Sequence, residues 1–333
     1  MAIRRYTASA DATITNAYEG NLATRGTGSN MGASDVLDVY SIYGRQSTSS
    51  AEVARSLIQF PIVGISSDRT NNIIPASGSV DFYLRLYNAP HSRTVPKDAK
   101  YVFMMVSQSW QEGVGLDMEG YTDLTLGNEG CDWMSASNSL YWKDINNTLL
   151  AGGSYHTAAA IVNPDVNTEI HIFDQTLSEG TEDIEINITP WVEQWIAGTY
   201  NNYGFGVMLT SSQEASSSVD ALAGYASGRA DDDGEMENPS GSTTSYYIKR
   251  FFGRGSQYFF KRPVIEARWN DITRDDRSNF YFSSSLASGE DNLNTIYFYN
   301  YVRGRLTDIP SVSAEKTRSH IKTIYVSIFS GSV

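Results

Sequence analysis

Hydrophobic and polar positions alternate along most of this chain with a period of two. In "VDFYLRLYNA", Val80, Phe82, Leu84 and Leu86 fall on one face, and Asp81, Tyr83, Arg85 and Tyr87 on the other. That is the pattern of a strand with one side in a core. "ARSLIQFPIV", "YVFMMVSQSW", "IEINI", "YGFGVMLTSS" and "RPVIEARW" are of similar length and rich in β-branched and aromatic residues, so they predict further strands. Between them lie "GTGSNMGAS", "ASGS", "DDDGEMENPSGS" and "GRGS", which are turn and loop chemistry. Many short strands with few helices predict an all-β, antiparallel two-sheet sandwich.

One stretch, "NITPWVEQWIAGTYNNYG", breaks this period and predicts a short helix. Thr189 suits the N-cap, and Pro190 the first turn, where its missing N–H is no loss. Val192, Trp195 and Ile196 make one apolar stripe, and Gly198 suits a left-handed terminus. A helix of about two turns is unstable alone, so it must pack against something. Two readings stand open. The helix plugs the open end of the sandwich, or it presents an aromatic platform to a ligand, with Trp191 the ring expected to be exposed.

The order of these segments resembles the DNRLRE-type β-sandwich, a jelly-roll-like module also described as a bacterial carbohydrate-binding family. The matching elements are "ADATI", "SNMGASDVLDV" with Asn30 and Gly32, "RSLIQFPI" as an Arg-x-Leu-apolar-x-Phe strand, and "SVDFYLRLY" as its partner. "VSQSWQEG" matches the Trp-x-Glu corner, "ITPWVEQWIAG" with "NNYGFGVML" the Trp helix and its strand, and "RPVIEARW" the closing strand. The similarity spans about residues 8–269, while the literal six-letter string that names the family is absent. It implies a sandwich over 1–269, and it implies Asp11 and Asn30 as neighbours of an ion position. The Ser/Thr/Asn/Tyr-rich strands and the "MAIRRYTASADATITNAY" start further resemble structural proteins of tailed-bacteriophage particles, notably marine ones. That likeness implies a head-decoration, tail or fibre-associated role.

Charge narrows the partners. Twenty-five Lys and Arg against 38 Asp and Glu leave a net charge of -13, which argues against a nucleic-acid backbone as ligand. Cys131 is the only cysteine, so no intrachain disulfide is expected. No apolar run has the length of a signal peptide or a membrane span. The expectation is folding in a host cytoplasm, assembly into a virion, and no membrane partner.

The residues point away from catalysis. His91, His156, His171 and His320 lie far apart in no metal-ligand spacing. No serine sits in a nucleophile elbow and no phosphate-binding loop is present, so an enzyme is not expected. Calcium is the one candidate ion. Asp231, Asp233 and Glu235 lie together in "GRADDDGEMENPSG", where oxygen ligands crowd one loop, although dense like charges also suit a solvated loop. Asp117, Glu119 and Asp123 form a second such loop.

After residue 269 the character changes. Residues 270–279 read as a linker, and 280–333 as a small β-rich segment with strands in "NFYFSSS", "NTIYFYNYV" and "IKTIYVSIFSG". Three strands make a poor independent core. Tyr297, Tyr299, Tyr325 and Phe329 are therefore expected at an interface, on the chain's own sandwich or on a neighbouring subunit by strand addition. Two functions follow. The first is a non-enzymatic virion subunit contacting other virion proteins and itself, a trimer being favoured. The alternative is a lectin-like module stacking a surface glycan on Trp133, Trp142 or Trp191.

Overall fold

The computed structural model describes residues 2–44, 50–118, 130–138, 140–144, 146–156, 162–163, 168–169, 172–217, 238–271 and 299–307. The chain separates into two units, Met1–Asp271 and Ile272–Val333.

The first unit is an antiparallel two-sheet sandwich. The smaller sheet has the order β1 (Ala2–Thr7), β15 (Val264–Trp269), β5 (Asp81–Leu86), β12 (Ile184–Asn187). The larger runs β11 (Ile172–Leu177), β6 (Ala99–Met105), β13 (Phe205–Leu209), β4 (Ser50–Gln59), β3 (Val36–Gly44), β14 (Tyr246–Phe252), and β2 (Ala10–Thr15) also pairs with β4. Short pairs β7 (Ser135–Ser137) with β8 (Leu140–Tyr141), and β9 (Val162–Asn163) with β10 (Thr168–Glu169), lie in the long connection after β6.

The expected faces fall into place. Val80, Phe82, Leu84 and Leu86 are buried, as are Tyr101, Phe103 and Met105 of β6 and Phe205, Val207 and Leu209 of β13. These inward faces meet as the main core. The other face of the small sheet carries a ladder of ion pairs across β1, β15, β5 and β12. Arg5 and Arg268 meet Glu266, and Arg268 and Arg85 meet Glu185. Such cross-strand charge pairs are the side-chain unit of sheet stabilisation.

Two helices close one end. The predicted one is α2 (Thr189–Ala197), terminated by Gly198 at φ 73°. Thr189 is its first residue rather than its cap. Its Oγ1 accepts the Phe82 N–H at 2.8 Å and donates to Asn187 Oδ1 at 2.6 Å, tying the helix to β5. Trp191, the ring that the platform reading would expose, is fully buried with Val192 and Trp195, as the plug reading requires. A plug must turn its largest ring inward, and Trp191 meets Phe173 and Phe205 at ring distances of 4.7 and 5.9 Å. The second helix, α1 (Ile62–Thr70), was not expected. "ARSLIQFPIV" reads as one strand, but β4 ends at Gln59 and Pro61, lacking an N–H, begins a helix that buries Ile62 and Ile65.

In the second unit, the described residues form a hairpin of β16 (Asn300–Val302) and β17 (Arg305–Thr307). Arg303 and Gly304 turn it with φ of 52° and 77°, the positive pair that a tight two-residue hairpin requires. Tyr299 stacks obliquely on Tyr301, 6.5 Å between rings. Tyr297, Tyr325 and Phe329 lie outside the described residues.

Candidate functional site

Part of the outer face of the large sheet is covered. Beyond β6, residues 130–155 lay Trp133 and Trp142 over Ala12, Ile14, Val53 and Leu57, and both rings are fully buried in this second, smaller core. The Trp142 indole N–H donates to the Asp132 carbonyl at 2.9 Å. Stacking on a sugar needs an exposed ring face. Trp133, Trp142 and Trp191 have none, so the three rings put forward for a glycan serve the interior instead. Aromatic residues in a polar loop look alike in sequence whether they face a ligand or cover a sheet.

Beside Trp133, Arg55 on β4 forms a buried bidentate pair with Glu214, Nε to Oε1 at 2.9 Å and Nη2 to Oε2 at 2.7 Å. Its Nη1 donates to the Gly152 carbonyl at 2.9 Å, and its guanidinium lies 5.4 Å from the Trp133 ring. The Arg of the Arg-x-Leu strand is thus a fastener between sheet and covering loop.

A second fastener gathers residues that the resemblance had set apart. Asn30 donates to the carbonyls of Glu112 and Cys131, at 2.7 and 2.8 Å, and accepts from the N–H groups of Gly32 and Gly115. Both donors and both lone pairs are therefore used. The chain passes so close that a Cβ at Gly113, where φ is +79°, would lie 2.3 Å from Asn30 Oδ1. Glu112 accepts the Asp11 N–H and clamps Arg254 bidentately at 2.9 and 2.6 Å, while Asp11 accepts the Arg254 N–H. Trp110 donates to the Tyr203 carbonyl at 2.7 Å. Asn30 Oδ1 and Asp11 Oδ2, on residues implied as neighbours of an ion, are thus taken up by backbone N–H groups of the protein. Arg254 carried no signal in "GRGS", because a lone arginine in a loop shows nothing of its partner.

Among the described residues no group of three or more His, Cys, Asp and Glu side chains is arranged to hold a metal ion. Asp231, Asp233 and Glu235, the calcium candidates, lie outside the described residues, as do Glu119 and Asp123; Asp117 alone of its loop lies within them. His91 and His156 sit apart, His91 against the Ile248 carbonyl and His156 against the Tyr200 ring, and His171 and His320 fall outside the described residues. No helix among the described residues is long and apolar enough to cross a membrane.

Burial gives two carboxyls unusual acidities. Asp11 is pushed up to about 7 by burial, helped by the Glu112 charge and opposed by the Arg254 N–H and charge. Asp132 is pushed to about 7 by burial, opposed by the N–H groups of Ser135 and Met134. Protonation of both therefore favours the folded chain. Their contribution is fully present below about pH 4 and is lost as pH rises through 7. Glu185, hydrogen-bonded by Arg268, is held below its ordinary range, so its contribution is lost only on the acid side of about pH 4. The Tm of the first unit is expected to be higher at pH 5 than at pH 7.5, by about 3 °C or more. The D11N/D132N variant should flatten that slope in a calorimetric pH series, and an unchanged slope would contradict the assignment.

Two further surface features stand out among the described residues. A groove of 440 Å³ between α1 and α2 is lined by Ile62, Val63, Ser66, Thr70, Trp195 and Ile196, with no titratable side chain. The other is the turn from Arg254 to Arg262, "RGSQYFFKR". Tyr258, Phe259 and Phe260 are 54%, 60% and 78% exposed. Sequence reasoning passed over them, although three adjacent rings between a Gly-Ser turn and Lys-Arg-Pro were there to be read. No protein-family model matches this chain, and a search of curated proteins finds no match to it.

Proposed function

We propose that this chain is a non-enzymatic structural subunit of a tailed-bacteriophage particle, a head-decoration, tail or fibre-associated protein that works through protein–protein contacts. The observation that carries this reading is where its buried charges go. Arg55 ties the covering loop to the sheet through the Gly152 carbonyl and the segment after β13 through Glu214, and Asp11, Glu112 and Arg254 close a junction of three segments. Lys249, fully buried, donates to Asn88 Oδ1 and to the carbonyls of Gly180 and Glu182 at 2.7–3.0 Å. Groups of the kind that acid–base chemistry uses are here committed to joining segments, while rings stand uncovered on the surface. Large aromatic residues at a surface suit contact with other proteins. The resemblance to phage structural proteins supplies the setting, with other virion proteins and copies of the same chain as partners.

The test is the mass of the purified protein in solution together with its retention on polysaccharide columns. A stable trimer or larger species that passes through unretained is the expected result. A monomer that is retained would overturn the proposal in favour of the carbohydrate-binding reading.

A further inference from the structure

We infer that Lys249 and Asn88 are the two halves of a self-forming isopeptide bond that joins the two sheets of the sandwich covalently. The inference stands apart from the subunit reading. A reaction that occurs once within each chain is compatible with a non-enzymatic subunit, and its test does not depend on assembly.

The burial of Lys249 calls for a reason. β14 turns Lys249 and Phe251 into the interior, just past a register shift between Tyr246 and Lys249, and such bulges re-aim a side chain. Lysine is almost never fully buried unless paired with a charge. Among the described residues no carboxylate forms an ion pair with Lys249. Its Nζ meets three neutral oxygens instead: Asn88 Oδ1 at 2.8 Å, the Gly180 carbonyl at 3.0 Å and the Glu182 carbonyl at 2.7 Å. The Phe251 ring lies 5.0 Å away. Burial pushes the Lys249 ammonium down to about 8, against the charges of Glu182 and Asp183. On losing a proton, the amine keeps two N–H groups for the two carbonyls and turns its lone pair toward the Asn88 amide. A desolvated amine of this kind is lysine activated as a nucleophile.

The electrophile is held in place. Asn88 follows β5 of the small sheet and bridges Phe251 of the large one, and the Ala89 N–H donates to the Arg250 carbonyl at 2.9 Å. Asp183 Oδ1 accepts the Asn88 N–H at 2.8 Å. A C=O bond is about 1.2 Å long, so Nζ lies within about 4 Å of Asn88 Cγ, close to the roughly 3–3.5 Å of a near-attack geometry. Glu182 brings an acid–base group to the same place. Its Oε1 accepts the Glu179 N–H at 2.8 Å, while among the described residues its buried Oε2 has no partner, nor has the buried Tyr101 hydroxyl. Tyr101 packs edge-on against Phe251, and burial together with the Glu182 charge holds its hydroxyl well above the ordinary range. Buried polar atoms without partners need an explanation, and a proton relay supplies one.

The step balances with no further reactant. The Lys249 ammonium first releases one proton to water. The neutral Nζ then attacks Asn88 Cγ and a C–N bond forms. The Glu182 carboxylate takes a proton from Nζ and passes it to Asn88 Nδ2. The Cγ–Nδ2 bond breaks with its electron pair on nitrogen, and ammonia leaves. A primary amide and an amine become a secondary amide, and a buried charge disappears. The product ties residues 161 apart in sequence, in a chain whose single cysteine allows no intrachain disulfide. Closing so long a loop restricts the unfolded chain as a disulfide does.

The test is the intact mass of the denatured full chain, with a peptide map. Wild type is expected to be lighter than its sequence by one ammonia and to yield one branched peptide joining residues 88 and 249. Lys249→Met and Asn88→Ala should keep the full mass and yield the two peptides separately, whereas Asn88→Asp should lose water in place of ammonia. Wild type of full mass, with residues 88 and 249 on separate peptides, overturns the inference, and so does a loss of ammonia located elsewhere. That reading is made on wild type, so it holds whether or not a variant folds. Glu182→Gln should leave most of the chain unlinked, and a fully linked E182Q chain removes Glu182 from the step while the bond stands.

Discussion

Replacing Glu214 with alanine is expected to cost about 3–5 kcal/mol and to lower Tm by roughly 10 °C. The substitution leaves the Arg55 guanidinium buried without a carboxylate, beside the Gly152 carbonyl, the Trp133 ring and the Tyr155 hydroxyl. An uncompensated charge in that position is worth far more than the pair itself, since two charges taken out of water gain little over well-packed apolar residues. An R55M/E214L double variant is therefore expected to recover most of the loss. Urea denaturation of the three proteins would measure this. A loss below about 1 kcal/mol for E214A would show a solvated surface pair instead.

The second large effect is expected at Trp191. Its ring contacts Phe173 and Phe205 and lies 6.1 Å from Trp195, so it joins α2 to β11 and β13. Trp191→Ala should cost about 3–5 kcal/mol through lost burial and the cavity left behind. Trp191→Phe should cost about 1–2 kcal/mol, because the buried Trp191 indole N–H finds no acceptor among the described residues and its removal offsets part of the lost area. If W191A unfolds at the same denaturant concentration as wild type, the helix is a surface attachment and not a plug.

Much of the sandwich was legible because strand periodicity is local. The inward sets of β5, the end of α2 at Gly198 and the closing strand β15 each follow from residues adjacent in the chain. Even there, propensity misled at Pro61, where an apolar run is divided between a strand and α1. Thr189 likewise has the chemistry of a cap, yet a β5 N–H more than a hundred residues away claims its hydroxyl.

By itself, the order of apolar and polar residues determined that the chain forms antiparallel strands, which faces of them are buried, and where one short helix stands. Only the tertiary structure decided what the polar and aromatic residues do. It made Trp133 and Trp142 a second core, took up Asn30, Glu112 and Arg254 in a junction of distant loops, and left Phe259 and Phe260 outside. The physical reason is range. A strand's faces are dictated by neighbours two residues apart, whereas the fate of a ring or a charge depends on partners that the fold brings from far along the chain.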